Sequence, residues 1–216
     1  MNVIYLSAGK GVRAKLGYPK QFAQLGGKPI IIHGLEIFQK MPEIDKIIIP
    51  CSRGAGVEKL LEKYAITKAI TCDGGETRQE SVCVSIYHVD SEYVLIAEAV
   101  RPFITEEFVR RVIDTPGVFV APIQRATSSV LLTAGGYVER NGVGEVQMPQ
   151  KYATKLLAKA HIKTKMVDAS DDAVLVIETL HILPYIINGI KANIKITTPL
   201  DLKIAEAIYE GNYNRE

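Results

Sequence analysis

Cationic and small residues gather near the start of this 216-residue chain, where Ser7-Ala8-Gly9-Lys10-Gly11 is followed by Arg13, Lys15 and Lys20. Glycine lets backbone N–H groups approach an anion closely, and nearby cations neutralise charge that water otherwise solvates. The stretch can therefore cradle phosphate. A glycine turn with solvated lysines is the plain alternative, because a single G-x-G is a weak signal. Lys195 stands among isoleucines, where an unpaired ammonium is expensive to bury, so it should face an anion. Pairing with Asp201 or another acid is the alternative for it.

The elements that hold these groups follow from apolar patterning. Val3–Leu6 is a short apolar run entering the glycine-rich stretch, which makes a strand opening into a loop. Pro29–Lys40 has helical spacing, with Gly34 tolerated inside, and Asp45–Pro50 is a β-branched run of the kind buried in a parallel sheet. Helices at Gly56–Tyr64, Glu76–His88 and Thr105–Asp114, the last capped by Thr105, alternate with strands at Thr67–Cys72, Tyr93–Ala97 and Gly117–Ile123. This alternation specifies α/β architecture: a Rossmann-like open, mostly parallel twisted sheet with helices on both faces, and ligands at the carboxyl ends of the strands. Residues 124–146 break the rhythm and are expected as a projecting β-hairpin arm that packs on a second subunit, the rest of 1–216 being a single domain. Beyond it the pattern gives a helix over Lys151–Ala160, a short strand near Lys163–Val167 and a helical turn opened by Asp171-Asp172. Strands at His181–Ile187 and Asn193–Thr197 follow, then a helix over Asp201–Tyr209 capped from Thr198-Pro199.

Bulk properties narrow the function. The 26 basic and 24 acidic residues leave a formal charge of +2, far from a nucleic-acid binder's excess, so any bound anion is small and local. The three cysteines, Cys51, Cys72 and Cys83, form neither a C-x-x-C pair nor an even set and are expected as buried thiols in a reducing compartment. No apolar run suits a membrane span and no secretory pattern opens the chain, so a cytoplasmic protein is expected. No G-x-G-x-x-G opens the first helix, which argues against a dinucleotide-dependent dehydrogenase.

Several stretches, in order along the chain, resemble one family. They are Ser7–Arg13 with Pro19-Lys20-Gln21-Phe22, Gly74-Gly75-Glu76-Thr77-Arg78-Gln79-Glu80-Ser81, Ala99-Val100-Arg101-Pro102-Phe103, Met148-Pro149-Gln150, and Asn193–Leu202. Together they look like the cytidylyltransferases that load a polyol phosphate onto CMP, with methylerythritol phosphate and ribitol phosphate branches. The resemblance implies an in-line attack by a phosphate oxygen on the α-phosphorus of CTP, a reaction that asks mainly for positioning and charge neutralisation. By the same resemblance Arg13, Lys20 and Lys195 are catalytic, and the nucleotide is held by Ser7, Ala8, Gly9, Gly11, Arg13, Lys20, Gly74, Gly75, Arg78 and Ser81. Arg78 could equally serve only to stabilise its loop, and Ser81 could be a helix residue with a satisfied hydroxyl. The acceptor falls to Arg101, Ser170 and Lys195, and to Arg140 reaching across from a partner subunit; a structural ion pair is the other reading for Arg101, and a solvated charge for Arg140.

The chain departs from the family where metal and acceptor should sit. Relatives carry His-Asp, with the aspartate a Mg²⁺ ligand, where this chain has Ala97-Glu98, and Thr where it has Met148. Glu98 is thus the expected Mg²⁺ ligand. The wording Ala-Val-Arg-Pro-Phe and Thr-Thr-Pro-x-Asp-Leu-Lys favours the ribitol branch, with methylerythritol phosphate or nucleotide binding without turnover as alternatives. The expected partners are CTP, a polyol phosphate and a second copy of the chain, with no nucleic acid or membrane.

Overall fold

In the computed structural model, which describes residues 1–7, 19–52 and 54–211, strands and helices alternate through the first half as the apolar runs require. That half comprises β1 (Asn2–Leu6), β2 (Gln24–Leu25), β3 (Lys28–Pro29), α1 (Ile30–Lys40), β4 (Lys46–Cys51), α2 (Val57–Lys63), β5 (Ala69–Asp73), α3 (Arg78–Ile86), β6 (Tyr93–Glu98) and α4 (Glu106–Asp114). The second half comprises β7 (Phe119–Arg125), β8 (Val130–Leu131), β9 (Tyr137–Val138), β10 (Gly144–Val146), β11 (Gln150–Ala153), α5 (Thr154–Lys163), α6 (Asp172–Leu180), β12 (Tyr185–Asn188) and α7 (Pro199–Tyr209). The main sheet runs β10-β7-β11-β6-β1-β4-β5, with β12 on the other edge of β7. Strands β5, β4, β1 and β6 are mutually parallel, so their carboxyl ends share one edge.

Period-two alternation divides the core. Val3 and Tyr5 face the layer of α1, α2 and α4, while Ile4 faces that of α3, α5 and α6. Gly34 now has a reason: a Cβ there would lie 2.4 Å from the Tyr5 hydroxyl, which donates to Ile31 O at 2.9 Å. Helix and sheet close to a separation that a larger residue would block. Thr105 caps α4 by accepting from Phe108 N–H, as expected. None of the described helices is long and apolar enough to cross a membrane.

Four expectations are corrected. Gln150–Ala153 is a strand instead of the start of a helix: β11 lies antiparallel between β6 and β7, and the helix begins at Thr154. No strand covers Lys163–Val167, because Lys163 ends α5. Asn193–Thr197 is a strap without ladder pairing, tied to the turn after β6 by Ile196 N–H donating to Val100 O at 2.9 Å. The strand expected from His181 starts only at Tyr185, His181 being the left-handed residue that closes α6. Of the three free thiols only Cys51 is buried, Cys72 and Cys83 being half-buried. The arm is a hairpin, β8 pairing β9 with Val130 opposite Val138, and β10 brings the chain back to β7.

Thr198 opens α7 through a reciprocal capping box: its hydroxyl accepts from Asp201 N–H while the Asp201 carboxylate accepts from Thr198 N–H. Thr198→Ala is expected to lower unfolding stability by about 1 kcal/mol, seen as a lower urea midpoint at unchanged slope.

Candidate active site

At the carboxyl edge, Ser7 leaves β1 with its hydroxyl donating to Pro50 O at 2.9 Å, and its carbonyl accepts from the buried Gln21 side chain at 2.6 Å. Gln21 lies in the short 3₁₀ turn Lys20–Phe22, so it moors Lys20 beside the end of β1. Sequence reasoning quoted Gln21 only as part of a motif and missed this mooring. Ala8, Gly9, Gly11 and Arg13 lie outside the described residues.

The second glycine stretch leaves β5 and turns into α3. Gly75 N–H donates to the Ser81 hydroxyl at 3.1 Å, and that hydroxyl donates to Thr77 O at 2.9 Å. A Cβ at Gly75 would lie 2.2 Å from Glu80 Cβ and 2.8 Å from its carbonyl carbon, so only glycine permits this approach. Ser81 is thus placed at the loop with both its hydrogen-bond roles already engaged, and Thr77 and Glu80 close a capping box in front of it.

Glu98, at the end of β6, is the centre of the charge. It is buried, its Oε1 accepting from Lys195 Nζ at 2.6 Å and its Oε2 from Arg101 Nε at 3.0 Å. Burial alone would raise its pKa, but Lys195, Arg101 and Arg78 outweigh that and hold it below the ordinary glutamate value. Lys195 is paired with an acid, as its alternative reading had it, but the acid is Glu98; Asp201 serves the α7 cap. Arg101 also donates to Asn193 O at 2.7 Å, so the structural ion pair offered for it is present.

Behind this cluster Arg78 contacts Asp172, Nη1 to Oδ2 at 2.7 Å, in an ion pair whose N–H does not point along the line to the oxygen. Burial would lower the Arg78 pKa, yet Asp172, Asp171 and Glu98 together raise it, so the guanidinium is fixed as a cation. Asp171 caps α6 through Ala173 N–H and accepts from Gln150 at 3.1 Å. Ser170, just before that cap, is exposed.

The strap carrying Lys195 is held from below by Gln147. Its side chain donates to Ile190 O and accepts from Ile190 N–H and Asn193 Nδ2, while Asn193 Nδ2 also donates to Met148 O at 2.6 Å. Arg140 is exposed on the arm, in the turn Arg140–Gly142, and its Nη1 donates to Thr127 O at 3.5 Å. The structure brings Glu98, Arg101, Lys195 and Arg78 together, leaves Arg140 apart within the protomer, and places Ser7 at the end of β1, Gly74 and Gly75 just after β5, and Ser81 near the start of α3. A cavity of about 720 Å³ between α4 and Asn188–Lys191 contains none of them.

The donor set suits Mg²⁺ held mostly by a substrate. No cluster of three metal-ligating side chains occurs among the described residues, and Glu98 offers one ionised carboxylate whose oxygens retain lone pairs beyond those engaged by Lys195 and Arg101. Mg²⁺ characteristically takes one or two carboxylates together with phosphates and water.

Comparison with known proteins agrees with this geometry. The family model described as IspD: 2-C-methyl-D-erythritol 4-phosphate cytidylyltransferase matches residues 1–211. The enzyme of that name from Geobacillus thermodenitrificans is 36% identical, covering 95% of each chain, and the one from Bacteroides fragilis is 33% identical, covering 95% of this chain and 97% of its own. A bifunctional IspD/IspF enzyme from Desulfotalea psychrophila is 35% identical, this chain spanning 55% of its length. The crystal structure of the Thermus thermophilus enzyme superposes with a TM-score of 0.81 at 29% identity, covering 97% of this chain and 98% of that one.

The ribitol branch expected from motif wording is not supported; these relatives carry the methylerythritol name. The wording misled because it records packing: Val100 and Phe103 are buried, Phe103 against Ile196 and Ala205, and Thr198 and Asp201 form a helix cap.

Glu98 yields a pH prediction. Its folded pKa is depressed, so its pairing stabilises the fold above the unfolded glutamate value of about 4.3 and is lost as pH falls through the lower folded value. The urea-midpoint gap between wild type and Glu98→Gln should therefore be widest near neutral pH and shrink as pH falls below about 4. A gap independent of pH would contradict the ionised pairing.

Proposed function

The chain belongs to the IspD family of 2-C-methyl-D-erythritol 4-phosphate cytidylyltransferases, and on that premise we propose that it transfers CMP from CTP to 2-C-methyl-D-erythritol 4-phosphate, releasing pyrophosphate. The observation that carries the reading is the Glu98–Lys195–Arg101 cluster at the carboxyl end of β6, beside the end of β1. A phosphate oxygen of the acceptor attacks the α-phosphorus as the bond to the bridging oxygen breaks, and that oxygen leaves with pyrophosphate. Little covalent chemistry falls to the protein, which must hold both ends in line and neutralise the charge that develops.

Lys195 suits this task because its side chain is 37% exposed while Glu98 fixes one of its three N–H directions; the others are available to reacting phosphates. Lys20 and Arg13 take the triphosphate, and the Gly74–Ser81 turn takes the cytosine edge. Glu98 would hold Mg²⁺, which when bound supplies further neutralisation of the phosphates. Exposed Leu131, Leu132 and Tyr137 on the arm support burial against a second copy, which would bring Arg140 to the partner's acceptor phosphate.

The test is pyrophosphate release with CTP and Mg²⁺ against methylerythritol phosphate, ribitol 5-phosphate and other polyol phosphates. Release is expected with the first and not with ribitol 5-phosphate; no release with any acceptor would leave nucleotide binding without turnover. Lys20→Ala should lower turnover by about 100-fold. If Arg140 acts in trans, mixing Arg140→Ala with Lys20→Ala chains restores part of the activity through heterodimers; no recovery at matched folding counts against the arm's role.

A further inference from the structure

His161, on α5, has no part in the reading above, yet its side chain is 2% exposed and its Nε2 lies 2.9 Å from Asp172 Oδ1. Asp172 is itself 1% exposed, and its other oxygen faces Arg78 at 2.7 Å. An ionised carboxylate only accepts, so Nε2 carries the proton of this bond. Burial would raise the Asp172 pKa, but Arg78 and His161 outweigh it and hold Asp172 below the ordinary aspartate value.

The guanidinium has a choice of acids, because Glu98 also acts on it electrostatically. Its Nε and both Nη atoms are buried without a hydrogen-bond partner, though Nη1 touches Asp172. Buried N–H groups are ordinarily satisfied, so Arg78 is held here by charge pairing with Asp172 more than by aligned hydrogen bonds. Arg78 is the first residue of α3, three positions after Gly75, so its ion pair with Asp172 fixes the end of the turn that opens the helix. If the Asp172 carboxylate were free to rotate, Arg78 could swing toward Glu98 and compete with Lys195 and Arg101.

We infer that His161 is a positioning residue: by orienting the Asp172 carboxylate it holds Arg78, and with it the Gly74–Ser81 turn, in the place that receives the nucleotide. The inference rests on the nucleotide-site reading above, and the readout is CTP affinity, which needs no acceptor. By calorimetry with Mg²⁺, His161→Leu should weaken CTP binding by about tenfold, the scale of one hydrogen bond to a charged group. His161→Gln, which retains a donor, should stay within about twofold of wild type, and adding His161→Leu to Asp172→Asn should cost less than about twofold more. A merely structural histidine would change the urea midpoint and leave CTP affinity alone.

A folded His161→Leu protein that binds CTP like wild type overturns the inference. Should that variant not fold, the wild-type protein decides: the ¹⁵N resonances of the His161 imidazole, assigned with His161→Gln, should shift on CTP saturation, and unmoved resonances overturn it. Wild type is measured first. Its failure to bind CTP would overturn the nucleotide-site reading and this inference with it, an outcome distinct from variant and wild type binding equally.

Discussion

A buried carboxylate held by two cations is the constraint on which the site depends. Taking the Glu98 and Arg101 charges out of water costs several kcal/mol per ion, and only close pairing, completed by the partly exposed Lys195, offsets it. The geometry must therefore be tight, and it is reached only when two segments distant in sequence meet: the end of β6 with the turn that follows it, and the strap before α7. Removing one partner would leave an uncompensated buried charge, typically a loss of about 3–5 kcal/mol. The geometry of the candidate site and folding are thus one requirement here. Arg101 extends the link by donating to Asn193 O on the strap and approaching Val146 O on β10, so the segment returning from the arm is referenced to the same ions.

The antiparallel strand β11 makes that arrangement possible. It parts β6 from β7, and its polar residues reach partners above and below the sheet. Gln150, fully buried, donates to Asp171 and accepts from the Tyr152 hydroxyl; Lys151 donates to Ile113 O and Thr115 O where α4 ends. A buried lysine at the carboxyl end of a helix satisfies orphan carbonyls and opposes the helix dipole. Burial nonetheless pulls its pKa below the ordinary lysine value.

Those contacts show why parts of the chain were legible and others were not. β1, β4, α4 and α7 could be read because their signals are local: alternating or continuous apolar runs, and Thr105 and Thr198 as caps. Gln150-Lys151-Tyr152 could not, since a polar glutamine and lysine beside helix-forming residues look like a solvated helix start until their partners, far off in sequence, are known. Asp171 and Asp172 divide the same way. The first is a helix cap that adjacency reveals; the second is the buried partner of Arg78 and His161, visible only once α3, α5 and α6 pack. In the candidate site, the need for glycine at Gly75 carries a local signal, the Gly74-Gly75 pair ahead of a helix. Which acid Lys195 meets could not be read, because Asp201 is near in sequence and Glu98 is near in space.

The same distinction bears on the acceptor. Ala97 and Met148, where the chain departs from its relatives, are each 2% exposed and belong to the core clusters, so what they alter first is packing. Methylerythritol phosphate differs from ribitol 5-phosphate by a branching methyl and one hydroxyl fewer. An apolar contact with one methyl discriminates by only about 1–3 kcal/mol, whereas a polar group left unpaired by a missing hydroxyl discriminates far more strongly. On the proposed function, selectivity between such acceptors would fall to polar atoms that remain reachable, such as Lys195, Ser170 and the exposed Arg140 of the arm, more than to the buried motif positions that distinguish the branches by wording.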